Sequence, residues 1–114
     1  MIGAVALQWC RVQPNVSEER PFGPETLVFK VGGRMFAAFP DAANPDRMTL
    51  KGDPDLAEIL RDQYPGVQPG YHMNKRHWNT VALDGSVPED VVAQLLADAY
   101  RLVARSGPAR AARG

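Results

Sequence analysis

Cysteine is nearly absent from this sequence: Cys10 is the one copy in 114 residues. A single thiol excludes an internal disulfide framework and a cysteine-based zinc cluster. Histidine is scarce as well, limited to His72 and His77. No apolar run approaches the ~18 residues that a membrane-crossing helix needs. The apolar start from Met1 to Cys10 lacks a basic leader and a small-residue cleavage site, so it does not read as a signal peptide. Charge of one sign is also missing, since 13 Lys and Arg balance 13 Asp and Glu. That neutrality excludes a protein basic all over, of the kind that coats nucleic acid or anionic membrane by bulk charge. The expectation is a soluble cytoplasmic protein with no membrane role.

What is present suffices for a folded domain. Hydrophobic residues make up 45% and charged residues 23%, which disfavours disorder over most of the length. The chain is long enough for one core and too short for two ordinary domains. One domain is expected over residues 1–106, followed by a flexible Gly-, Ala- and Arg-rich tail over 107–114.

The pattern of apolar residues predicts the elements. Ile2, Val5, Ala6 and Trp9 have helical spacing, and Pro14 stops that first helix. A short edge strand is expected over residues 18–20. Residues 26–31 and 34–39 are rich in β-branched and aromatic side chains, and Gly32-Gly33 between them signals a hairpin. Residues 47–51 alternate polar and apolar, as a half-buried strand does. Asp53 caps a second helix with Pro54 at its first position, and Leu56, Ile59 and Leu60 form its expected buried stripe. A loop then runs through Pro69-Gly70, and residues 78–83 read as a strand. Ser86 and Glu89 match a capping box for a last helix over about 87–104. Its predicted apolar face is Val91, Val92, Leu95, Ala99, Leu102 and Val103. The fold class is therefore α+β, in two layers: an antiparallel sheet of about five strands with helices packed on one face, in the order α-β-β-β-β-α-β-α. The strands alternate, so the other face is expected to be exposed.

The neutral balance is built from blocks. Residues 26–40, 63–83 and 99–114 carry cations and no acid, while residues 41–62 and 84–98 carry an acidic excess. The densest stretch is residues 71–81, Tyr71-His72-Met73-Asn74-Lys75-Arg76-His77-Trp78-Asn79-Thr80-Val81. Cations there can neutralise phosphates, and Asn side chains can bond to bases or phosphates. The plainer reading is that Tyr71 and Trp78 anchor a loop whose polar residues cap element ends. Trp78 reads first as a packing residue and second as a stacking surface.

This stretch resembles the MmcQ/YjbR family of small bacterial proteins. The likeness extends to Pro21-Phe22-Gly23-Pro24, to the hairpin from Leu27 to Phe36, and to Tyr100-Arg101-Leu102-Val103. It covers nearly the whole chain in order, and its Asn-Lys-x-x-Trp block is specific. Ala99 departs from the family's usual Ser before Tyr100, and the first helix looks short. The resemblance implies a compact α+β fold similar to bacterial frataxin and to secretion chaperones. It also implies the family's DNA-binding label, which derives from likeness to a double-wing DNA-binding domain.

Three functions compete. A DNA-binding module would use Lys75, Arg76, His72, Asn74 and Arg34, with Lys30 and Arg101 on the rim and Trp78 behind them. So few cations predict modest, salt-sensitive affinity. A chaperone-like adaptor would instead hold a protein partner on the exposed sheet. An enzyme is disfavoured: no P-loop, dinucleotide fingerprint or nucleophile elbow occurs. His72 and His77 are the sole acid–base candidates, and no carboxylate in their segment is placed to orient them. No cofactor and no metal are expected. Iron binding by analogy with frataxin would need an acidic first helix, and residues 1–16 carry no acid. Cys10 reads as a small buried hydrophobe, and Gly32-Gly33 reads as a turn, because a strand follows it rather than a helix.

Overall fold

A computed structural model describes residues 2–70, 74 and 76–106. The elements in chain order are α1 (Ile2–Arg11), β1 (Val16–Glu19), β2 (Leu27–Val31), β3 (Arg34–Phe39), β4 (Arg47–Lys51), α2 (Pro54–Gln63), β5 (Val67–Pro69), β6 (Trp78–Ala82) and α3 (Glu89–Ser106). One six-stranded antiparallel sheet results, in the order β1-β2-β3-β4-β6-β5. The α+β class holds, with one strand more than expected. The extra strand is β5, three residues inside the stretch that reads as loop. It is too short to show alternation, and it forms because Val67 has a partner in Val81 across from it.

Gly32 and Gly33 both have positive φ, 62° and 80°, which is the backbone a two-residue hairpin turn demands. The β2–β3 register shifts between Phe29 and Lys30, so Phe36 and Ala37 are both fully buried. Phe29, Phe36 and Phe39 then meet in the core, with ring centroids 5.8 Å apart for Phe29 and Phe39. Burial of each such ring contributes about 1.5–3 kcal/mol. The helices pack on this face. Tyr100 of α3 sets its ring edge-on to Phe36 at 5.4 Å and to Trp9 of α1 at 6.4 Å. Asn15, with φ of 62°, reverses the chain between α1 and β1, a conformation Asn tolerates.

Register places Val28, Ala38, Thr49 and Thr80 side by side on the opposite face. Strand alternation predicts exposure there, yet Val28, Ala38 and Thr49 are buried. They are short side chains, flanked in the neighbouring row by the longer Lys30, Met35, Lys51 and Trp78. Thr49 and Thr80 also share a hydroxyl hydrogen bond at 3.2 Å.

Two helix details differ from expectation. On α2, Asp53 caps as predicted, accepting from the Leu56 N–H at 3.3 Å. The residue buried against the sheet is Ala57, however, while Leu56 and Ile59 are exposed. The cause is close approach: the Asn79 Nδ2 donates to the Ala57 carbonyl at 3.2 Å, and only a small side chain fits there. On α3 there is no Ser86 capping box. Ser86 donates its hydroxyl and its backbone N–H to the Asp84 carboxylate instead, and the helix begins at Glu89. Those two bonds hold the Asp84 carboxyl below its ordinary range. The buried face of α3 is Val92, Leu96, Ala99 and Val103, with Leu102 exposed.

Candidate binding surfaces

The sheet has one end where several predicted residues meet. There lie the Gly32-Gly33 turn, the β4–α2 junction and the segment leading into β6. Antiparallel register fixes this, because Lys51 pairs with Trp78 and the start of β3 runs beside the end of β4. Arg34 at the start of β3 and Arg76 before β6 are both exposed there. Asn74, also exposed, accepts the Arg76 backbone N–H on its side-chain oxygen at 2.9 Å and sets a tight bend. The His77 backbone completes the corner, donating to the Asn74 carbonyl and accepting from the Gly52 N–H at 2.8 Å.

The structure qualifies the other predicted residues one by one. Lys30 lies on the same sheet end, but its ammonium is 3.0 Å from the Glu19 carboxylate, so part of its charge is already answered. Trp78 is only 8% exposed, which leaves its ring unavailable for base stacking. Arg101 does not join the group: it projects from α3 on the helical face and pairs with Asp98 one turn back. His72 and Lys75 lie outside the described residues, as does the tail over 107–114. Sequence reasoning misses Lys51. Its ammonium sits 5.1 Å from the Trp78 ring centre on the face away from the helices. Its part is visible only once β4 is paired with β6, because a lone alternating strand does not reveal which strand it will face.

A second feature lies on the helical face. A cleft of about 260 Å³ opens between α2 and α3, with Leu50, Asn79 and Val81 of the sheet along it. Leu56 and Leu60 line it from α2, and Leu95, Leu102 and Arg105 from α3. The Asn79 Oδ1 is buried and has no hydrogen-bond partner among the described residues. Cys10 is far from being a nucleophile: burial pushes its thiol from 9.0 up to about 12. Among the described residues no three His, Cys, Asp or Glu gather as metal ligands would, and no helix is long and apolar enough to cross a membrane.

A family model described as YjbR matches residues 12–102. The Escherichia coli K12 protein YjbR is 36% identical over 95 residues, covering 83% of this chain and 80% of its own. YbdF of Escherichia coli O157:H7 is 39% identical over 83 residues, covering 73% of this chain and 68% of its own. Among solved structures, the Deinococcus radiodurans protein DR2400, with a DUF419 domain, superposes with a TM-score of 0.80 at 44% identity. That match covers 87% of this chain and 75% of the other. A Pseudomonas syringae protein superposes with a TM-score of 0.74 at 26% identity, over 88% of this chain and 97% of the other.

Proposed function

Because this chain belongs to the YjbR family, we propose that it is a non-enzymatic DNA-binding module that engages phosphates with one end of its sheet. The observation that carries this reading is a convergence. Arg34, Lys51 and Arg76 come from three separated segments, gather at the same sheet end, and make no ion pair among the described residues. Cations left without a carboxylate are the groups that displace counterions from a phosphate backbone. Trp78 supplies no stacking surface in this reading, and Arg101 has no place on the rim.

The test is a titration of fluorescein-labelled duplex and single-stranded DNA, followed by anisotropy at about 50 and 200 mM salt. Binding at the lower salt that weakens steeply at the higher is expected. Arg34→Ala with Arg76→Ala should lower the salt slope by about 2, one for each phosphate no longer neutralised. Arg101→Ala should leave it unchanged. Absence of binding to both DNAs at the lower salt overturns the reading.

A second reading, a protein-binding adaptor, moves from the sheet face expected to be exposed, where Val28, Ala38 and Thr49 are buried, to α1. Val5 of α1 and Val12 just after its end are more than half exposed and lie beside Trp9. A stoichiometric protein partner lost on Val5→Glu would support it over DNA binding.

A further inference from the structure

We propose that the cleft between α2 and α3 is a binding site for a small, mostly apolar carboxylate that carries a hydroxyl at its far end. The site is distinct from the DNA reading, since it lies on the helical face and uses neither Arg34 nor Arg76; Lys51 borders both, with its ammonium over Trp78 on the other side. Three observations define the ligand. The walls are aliphatic: Leu56 and Leu60 on one side, Leu95 and Leu102 on the other, with Leu50 and Val81 between them. Leu56 and Leu102 are both more than a third exposed, and with Leu60 and Leu95 they form one continuous apolar lining.

The second observation is polar. Asn79 is 7% exposed, and its Nδ2 is committed to the Ala57 carbonyl, which fixes the amide so that Oδ1 is the free atom. That oxygen is a buried acceptor without a donor among the described residues. Native interiors seldom leave such an acceptor unanswered. A ligand hydroxyl would supply the donor. Reaching it requires α2 to give slightly, and α2 is lightly seated: Ala57 is its only buried residue.

The third observation is the charge along the cleft. Asp98 is paired with Arg101, and Asp53 is occupied in capping α2. Lys51 also lines the cleft, but its ammonium is drawn over the Trp78 ring. Arg105 has no ion pair among the described residues, so its guanidinium is the cation placed to receive a carboxylate. The volume of about 260 Å³ is below that of drug-sized pockets, so the ligand is fragment-sized.

Binding of three probes to the full chain, measured by calorimetry and by amide chemical shifts, tests the site. The probes are 3-(4-hydroxyphenyl)propionate, its deoxy analogue 3-phenylpropionate, and the neutral 3-(4-hydroxyphenyl)propanamide. The hydroxy acid should bind best, with the deoxy acid weaker by about fivefold for the missing hydrogen bond. The amide should also be weaker, and Arg105→Ala should bring the acid down to the level of the amide. Leu102→Trp, at an exposed wall position, should fill the cleft and abolish binding while the melting curve stays cooperative. Should that variant fail to fold, the surface variant Arg105→Ala and the probe series still decide. Equal affinity for all three probes, no binding at all, or shifts confined to the sheet end around Arg76 would each overturn the proposal. So would tight binding of an acidic leucine-rich peptide with none of the small probes bound.

Discussion

Lys51 and Trp78 are register partners on adjacent strands, and the lysine ammonium rests 5.1 Å from the centre of the indole ring. The same pairing holds the ring under cover and holds a cation at the sheet end. Lys51→Ala should therefore lower stability by about 0.5–1 kcal/mol. It should also change the tryptophan emission and weaken DNA binding. Urea denaturation and anisotropy check the two effects separately.

Glu19 restrains Lys30 through a partly exposed ion pair at 3.0 Å. Glu19→Gln should cost at most about 1 kcal/mol of stability. By freeing a fourth cation at the sheet end, it should tighten DNA binding at low salt and steepen the salt slope by about 1. A variant that binds DNA no better than the parent would remove Lys30 from the interface.

Asn79 offers a sharper test of stability against function. Asn79→Leu removes a buried acceptor that has no partner among the described residues and, with it, the Nδ2 bond to the Ala57 carbonyl. The expected result is a melting temperature close to that of the parent, since relief of an unanswered buried acceptor, worth about 1–3 kcal/mol, offsets the lost hydrogen bond to the Ala57 carbonyl, worth about 1 kcal/mol. The variant should no longer discriminate the hydroxy acid from its deoxy analogue.

Tyr100 ties the end of α1 to α3. Its hydroxyl donates to the Pro14 carbonyl at 2.6 Å, while its ring meets Trp9 and Phe36. Tyr100→Phe keeps the ring packing and should cost about 1 kcal/mol. Faster hydrogen exchange in the turn around Asn15 is the local sign to look for.

Cys10 sets an alkaline limit. Its thiol is raised by burial from 9.0 to about 12, so the folded chain holds the proton that the unfolded chain releases first. The sign follows from linkage: the contribution is fully present below about pH 9 and is lost as pH rises toward about 12. Denaturation midpoints measured across that window should fall. A thiol reagent at pH ~8, below the unfolded thiol's ordinary range, should label Cys10 only at the rate of unfolding.

The features legible in the sequence are the ones set by local chemistry. Gly32-Gly33, Asp53-Pro54 and the alternation of residues 47–51 each act within a few residues, and each element forms where those residues place it. The features that differ depend on partners far away in the chain. Ala57 replaces Leu56 and Ile59 as the buried residue of α2 because Asn79, 22 positions later, draws the helix backbone close. Ser86 turns back to Asp84 rather than forward to Glu89. Of the candidate site, Arg34 and Arg76 do converge at one end of the sheet, whereas Arg101 stays on α3, paired with Asp98. Composition marks residues 71–81 as unusual, but it does not say that Trp78 is sealed and Asn79 left with an open acceptor.

The edges of the sheet carry a consequence for how the protein meets other chains. One edge, β1, exposes Ser17, Glu18 and Glu19, with Glu18 clasped by Arg11 at 2.7 Å. The other, β5, is three residues long and ends in Pro69, which has no N–H to offer. A neighbouring strand would meet charge at one border and a broken ladder at the other. Growth of the sheet by a second copy, or by a peptide lending a strand, is thus resisted at both borders. Concentrated solutions should stay free of fibrils, and a partner would have to meet side chains rather than a free strand edge.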